Sequence, residues 1–359
     1  MHLQAQQGLM RTFRQPWRNR GVLGWIFSLS LIAFYCLLYW SDVFQPVAEA
    51  LGLSSKWYLY GALYTIGVTV GGIVYLRKHG NSRYNQLRIA TNMGVQIVLG
   101  FAVPFLMAQN YGFDFYFSYF WPLKYDYLYP STLSRLPTSM AVYAVVGSTF
   151  VAPALAIVSG KRWYCSWVCG CGALANTFGD PWRHLTASNT PSWKFEKIAV
   201  HSIMALAFVA TGVIAADQLL DTSQAFKSFA NDTKQFYGFF VGAVLAGVIG
   251  TGLYPLLGPR VWCRNFCPMA AILGIVQKAG RFRIRVKKDM CISCGNCTTY
   301  CEMGIDVRSY AQSNQSFTRA SCVGCGMCAH VCPRGVLKLE NAFAVQGDKA
   351  RAGQPTVDF

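Results

Sequence analysis

The chain has 359 residues, of which 53% are hydrophobic and only 13% charged. Soluble domains carry about 25% charged residues, so this is an integral membrane protein with a small polar appendage. The formal net charge of +17 would suggest nucleic acid in a soluble chain, but here the basic residues fall in alternate loops, which orients a bilayer-spanning protein and leaves nucleic acid no role.

A basic N-terminal tail, residues 1–20, carries Arg11, Arg14, Arg18 and Arg20. A membrane domain at 21–257 follows, an all-α bundle of about six transmembrane helices. Its apolar stretches lie at 21–40, 57–76, 89–108, 138–158, 197–216 and 236–257, each near the ~20 residues that cross a bilayer. Lys and Arg alternate between the connections. The tail has four, the loop after the second stretch has four (Arg77, Lys78, Arg83, Arg88), and the loop after the fourth has five (Lys161, Arg162, Arg183, Lys194, Lys197). The intervening connections have one, two and two. Both termini are therefore expected on the cytoplasmic side of a bacterial-type inner membrane. Ala48-Glu49-Ala50 resembles a cleavage site, but the first apolar run exceeds the ~7–15 residues of a signal core and reads as a retained anchor.

The connection at 111–129 is densely aromatic and reads as an interfacial belt on the outer face. Its functional alternative is a docking surface or a quinone headgroup pocket, with Asp114 and Asp126 taking quinol protons. His201 is the only histidine inside a span, so paired axial ligation of a haem is excluded. It is a candidate for a quinone site near the inner face.

Two motifs inside the membrane part repeat each other. Arg162-Trp163-Tyr164-Cys165-Ser166-Trp167-Val168-Cys169-Gly170 ends the fourth span, and Arg260-Val261-Trp262-Cys263-Arg264-Asn265-Phe266-Cys267-Pro268 ends the sixth. Self-similarity at matching places suggests a duplicated unit. A Cys-x3-Cys spacing sets two thiols on one face of a helical turn. Two such turns bring Cys165, Cys169, Cys263 and Cys267 to one candidate metal or third cluster site, with Lys161, Arg162, Arg260 and Arg264 favouring thiolates. The alternative is small packing residues or redox-active thiol pairs. Cys171 is an extra thiol, either substitute ligand or bystander, and Cys36 reads as packing.

A linker at 258–285 holds the second of these motifs. The basic stretch Lys278, Arg281, Arg283, Arg285, Lys287 and Lys288 suits attraction to anionic lipid or steering of an acidic redox protein. Alternation across 281–286 predicts a strand that opens the C-terminal unit. There, at 286–340, Cys291-x2-Cys294-x2-Cys297-x3-Cys301 precedes Cys322-x2-Cys325-x2-Cys328-x3-Cys332-Pro333. This is the ligand spacing of an α+β bacterial two-cluster ferredoxin, in which the fourth cysteine of each run ligates the other cluster. Cluster one takes Cys291, Cys294, Cys297 and Cys332, and cluster two takes Cys322, Cys325, Cys328 and Cys301, giving two [4Fe-4S] clusters. Zinc would use paired Cys or His ligands rather than two four-cysteine runs. Glu302 replaces the proline of the second run and adds negative charge beside cluster two. A polar tail, 341–359, reads as disordered or partner-binding.

The paired membrane motif followed by a dicluster ferredoxin resembles the NapH/NosR/CcoG-like membrane polyferredoxins, over about residues 138–339. Cys263-Arg264-Asn265-Phe266-Cys267-Pro268 matches the family pattern in full, whereas Gly170 replaces proline in the first motif. With neither a flavin-binding domain ahead of the spans nor an added C-terminal domain, the NapH type is the nearest match. The resemblance implies an electron-transfer subunit of a redox complex rather than a stand-alone enzyme, moving electrons between the quinone pool or a cytoplasmic donor and partner subunits. No acid/base pair, nucleophile motif or phosphate loop is visible. The rival readings are a reductase for copper or cofactor maturation and a redox sensor.

Overall fold

The structure is a computed structural model, and it describes residues 16–220, 222–341 and the backbone of 357–358. Residues 1–15 of the basic tail lie outside the described residues, as does most of the polar tail beyond 341. Five helices are long and apolar enough to cross a membrane: Val22–Trp40, Lys56–His79, Arg83–Tyr111, Thr138–Ser159 and Thr190–Leu219. They coincide with the first five apolar stretches. Leu23, Ile66, Phe150 and Val209 point outward from them and stay exposed, as lipid-facing residues do.

The sixth stretch is built differently. Helix Gln224–Tyr237 begins with polar residues, continues through the wider-turned segment Gly238–Ile249, and breaks before the short helix Tyr254–Leu257. Its apolar half still packs inward, with Val241, Ala243 and Leu245 buried. Ser28 in the first span donates to Gly252 O at 2.6 Å and ties the break to its neighbour. Close helix approach elsewhere depends on small residues. A Cβ at Gly71 would strike the backbone of Phe178.

Two expectations need correction. Arg88 is not a loop cation: it lies inside the third span and is fully buried. The aromatic connection is not an exposed interfacial belt. It folds back among the spans, burying Phe115, Phe120, Trp121, Tyr127 and Tyr129. Non-helical backbone survives at such depth only if its polar groups find partners in the protein. Here Ser148 Oγ accepts from Trp121 N at 2.9 Å, and the Tyr164 and Tyr143 hydroxyls donate to Ser118 O and Phe117 O at 3.0 and 2.8 Å.

The C-terminal unit is the expected α+β fold. Strand Phe282–Val286 pairs antiparallel with Leu337–Asn341, Phe282 opposite Asn341 and Val286 opposite Leu337. Thr318–Arg319 pairs in parallel with Val357–Asp358. Short helices Asn296–Thr299 and Met327–His330 carry the third cysteine of each run. One continuous apolar core runs from Phe120, Ala152 and Tyr164 through the motif cysteines to Phe282, Val323 and Leu337. The unit is thus packed into the membrane part rather than hung from it.

Candidate cysteine centres

Both ferredoxin runs fold alike. Left-handed residues sit at matching places between the cysteines, Ser293 and Gly295 in the first run and Gly324 and Gly326 in the second. Glycine suits three of these places because it has no Cβ to clash there. The fourth cysteine of each run receives a backbone amide from four residues on: Ile305 N to Cys301 Sγ at 3.4 Å, and Val336 N to Cys332 Sγ at 3.3 Å. Amides aimed at sulfur stabilise thiolates and tune cluster potentials.

The fold crosses the runs. Cys291, Cys294, Cys297 and Cys332 line one cavity, which brings the fourth cysteine of the second run to the first three of the first. Around the other centre, burial pushes the Cys328 thiol up, and the charges of Cys325, Cys322 and Cys301 add to it. Burial likewise pushes Cys301 to about 12, with Cys325 and Cys322 contributing. Crowded thiols that repel one another as anions are a donor set for a cationic inorganic group. Among the described residues, no three His, Cys, Asp or Glu side chains converge tightly enough for a bare metal ion. A cubane binds each thiolate through a different iron and accepts a wider set, so these residues fit.

The membrane motifs also repeat in three dimensions, but not as a helical face. Cys165 ends the short helix Arg162–Cys165, and Cys169 precedes helix Gly170–Asn176 in extended backbone. Cys263 lies in Val261–Asn265, and Cys267 precedes Pro268–Lys278 in the same extended way. Each pair is therefore split by a tight turn. Tyr164 O accepts from both Val168 N and Cys169 N, at 3.0 and 2.8 Å, and Trp262 O accepts from Phe266 N and Cys267 N, each at 2.9 Å. The turn leaves the second cysteine at the N-cap of a new helix, and at the second motif Ala270 N donates to Cys267 Sγ at 3.4 Å. All four thiols are buried in one cluster. Burial, with Cys169 contributing, pushes the Cys165 and Cys263 thiols up to about 11 each. Cys171 is not remote, since its thiol helps to push that of Cys169 up.

Of the four cations expected near these thiols, two serve. Lys161 and Arg260 pull the Cys165 thiol down against burial. Arg260 Nη1 reaches Cys165 O at 3.1 Å and Cys263 Sγ at 3.7 Å, joining the two motifs. Arg264 turns away to Glu196 at 2.7 Å, and Arg162 lies over the Phe282 ring.

Glu302 is no free charge beside cluster two. It is fully buried between Arg183 and Arg260, the latter at 2.9 Å. Burial opposes its ionisation, but Arg183, Arg260 and Arg88 override this and hold its carboxyl at about 2. Asn176 Oδ1 accepts from Arg88 Nη1 and Arg260 Nη2, both at 2.8 Å. Asn92 and Gln96, further along the third span, donate to Ser166 O and Val168 O at 3.0 and 2.9 Å and grip the first motif's turn. Sequence reasoning missed this shell. Its signal was the polar stripe Arg88, Asn92, Gln96 at four-residue intervals in an apolar helix, since polar groups inside a span face the protein interior. His201, whose Nδ1 lies 2.6 Å from Lys197 O, lines a second cavity with Lys161, Trp193, Glu196 and Cys263.

Comparison with known proteins agrees with these centres. A family described as a 4Fe-4S dicluster domain matches residues 284–339. A family described as a 4Fe-4S binding domain matches twice, at 141–186 and 240–287, and each stretch holds one Cys-x3-Cys motif. The chain thus carries 4Fe-4S binding domains in both regions and is similar to membrane-type ferredoxin-like proteins. The chain is 27% identical over 193 residues to YccM of Escherichia coli strain K12, covering 51% of this chain and 52% of YccM. It is 25% identical over 173 residues to the methylamine utilization ferredoxin-type protein MauN of Methylobacillus flagellatus, covering 46% and 56%. For MauN of Methylorubrum extorquens the identity is 26% over 163 residues, covering 44% and 53%. The chain spans about half the length of the curated relatives it matches. No solved structure matches it.

Proposed function

We propose that this protein is a membrane polyferredoxin, an anchored relay for single electrons and a subunit of a redox complex that links the quinone pool or a cytoplasmic donor to a partner protein. Cys291, Cys294, Cys297 and Cys332 hold one [4Fe-4S] cluster, and Cys322, Cys325, Cys328 and Cys301 hold the second. Cys165, Cys169, Cys263 and Cys267 hold a third. The clusters supply one-electron redox chemistry. The protein supplies thiolates, amides aimed at sulfur and the buried cations that compensate their charge. Helix Gln224–Tyr237 with its continuation forms a sixth span, and both termini and the ferredoxin unit lie in the cytoplasm, where thiols stay reduced.

The observation that carries this reading is Arg260. Its guanidinium touches Cys165 O, Cys263 Sγ and the carboxylate next to Cys301, so one side chain connects the membrane thiols to cluster two. The double match of the 4Fe-4S binding domain to the two motif stretches supports the third cluster. The cavity shared by His201 and Cys263 supports a quinone at the inner membrane edge.

Anaerobic iron and sulfide quantification with EPR during a redox titration tests the proposal. About twelve irons per chain and three signals are expected. Colourless, zinc-containing protein would reject it. A quinol analogue should change the oxidation state of the centres, and a tag fused at Phe359 should be reached only from the cytoplasmic side.

A further inference from the structure

The two cluster loops face opposite surroundings. The second run is covered by the membrane part. Val323 O accepts from Ser166 Oγ and Gly324 O from Tyr84 Oη, each at 2.7 Å, and Cys322 O accepts from Gln277 Nε2 at 3.1 Å. The first run is open. Cys294 is exposed, and Ile292 beside it is 57% exposed.

Cations ring this open end. Lys287 is fixed there because its amide donates to Val336 O at 2.9 Å, and exposed Lys288 follows it. Arg308, whose amide donates to Thr298 Oγ1 at 2.8 Å, and exposed Arg334 line the cavity of the four cluster-one cysteines. Among the described residues, none of these four cations forms an ion pair. Two carboxylates nearby in the chain, Asp289 and Asp306, offset the four cations only in part. Asp289 accepts from Asn314 Nδ2 at 2.7 Å, and Asp306 accepts from Thr298 Oγ1 at 2.9 Å and Ser309 N at 3.4 Å.

We infer that this rim is the docking face for an acidic electron-carrier protein, and that cluster two is an internal relay that no soluble partner reaches. The inference rests on the cluster reading above. An apolar tip inside a ring of unpaired charge is how an interface steers a partner of opposite sign and seats it by a small desolvated centre. Lipid is the poorer occupant, because the side of the unit turned to the membrane part is the other run. One electron crosses at this face, the carrier being oxidised as the centre is reduced or the reverse, and no bond or proton moves with it.

The test uses the iron-loaded full chain in nanodiscs of neutral lipid. The probe is a reduced, acidic, soluble two-cluster ferredoxin followed by stopped flow. Its second-order rate should fall about tenfold from low to physiological salt. Lys287→Glu with Lys288→Glu and Arg308→Glu should lower the low-salt rate about tenfold and abolish the salt dependence, with iron content unchanged. Lys227→Glu, on helix Gln224–Tyr237, should react as the unaltered protein does. Should the triple variant lose iron, Lys287→Gln with Lys288→Gln decides the matter on the same rates. The docking face is rejected if the variants keep the original rate, if a basic cytochrome reacts faster than the acidic probe, or if the effect appears only in anionic nanodiscs, which would mark a lipid site. Unaltered protein without iron would instead remove the cluster reading itself.

Discussion

The ferredoxin runs and the membrane motifs both aim backbone amides at cysteine sulfur, yet they differ in what surrounds the sulfur. Cys294 is exposed and Cys291 half-buried, whereas Cys165, Cys169, Cys263 and Cys267 are all buried. In the open run, solvent and amides offset thiolate charge. In the membrane motifs that work falls to Arg260 and Lys161, both almost fully buried. Burying a charge is costly unless it is compensated, so a closed site has to bring its own counter-charge. The difference makes the membrane centre dependent on long-range ion pairs and leaves cluster one nearly independent of them.

The sharpest way to break this comparison is to remove the closed site alone. Cys165→Ser with Cys263→Ser should lower iron from about twelve to about eight per chain and leave the ferredoxin EPR signals in place. Iron unchanged at about eight in both proteins would show that the membrane thiols hold no cubane. The next effect is on stability. Glu302→Ala leaves Arg183 and Arg260 without their shared carboxylate in a fully buried site. Breaking a buried ion pair from one side costs about 3–5 kcal/mol. Thermal unfolding of the full chain should show it, and pairing Glu302→Ala with Arg260→Met should recover part of the loss.

The two regions were also unequally legible. The ferredoxin runs are read from spacing alone, because cysteines a few residues apart must wrap one centre whatever the rest of the chain does. The strand at Phe282–Val286 was visible for the same local reason. Glu302 was not, because its partners Arg183 and Arg260 are remote in sequence and its charge looks free until the fold joins them. The motif turns were misjudged as helix faces, since Cys-x3-Cys fits a helix equally well. Only the extended backbone at Cys169 and Cys267 shows that the second cysteine caps a new helix. The aromatic segment was misplaced because composition marks an interface but says nothing of the Ser148, Tyr143 and Tyr164 groups that satisfy its backbone in the interior.

A smaller effect sharpens the docking of the covered run. Tyr84 Oη donates to Gly324 O at 2.7 Å and lies 3.3 Å from Trp167 Nε1. Tyr84→Phe should cost about 1 kcal/mol, the net contribution of one such bond. Hydrogen exchange should rise around 322–328 and not around 291–297. Equal change in both runs would mean that the two loops are not separately held.

The smallest effect concerns acid. Asp180 is held by Arg183 at 2.7 Å, Lys78 at 3.2 Å and His79 at 3.4 Å. Burial pushes its carboxyl up, but Arg183 and Lys78, joined by His79 once acid protonates it, outweigh burial and leave it below the ordinary value of 3.8. A carboxyl depressed in the folded state contributes stability above its unfolded value and loses it as pH falls through the folded one. Asp180 should therefore support the fold fully above about pH 4 and progressively less below it. Asp180→Asn should lower stability at neutral pH and flatten the loss on acidification, as read from unfolding midpoints at stepped pH. Since burial cancels much of the cationic pull, the change should be smaller than that from Glu302→Ala, where three arginines act on one carboxylate. A steeper acid dependence in Asp180→Asn than in the unaltered chain would overturn the charge arrangement drawn around the closed site.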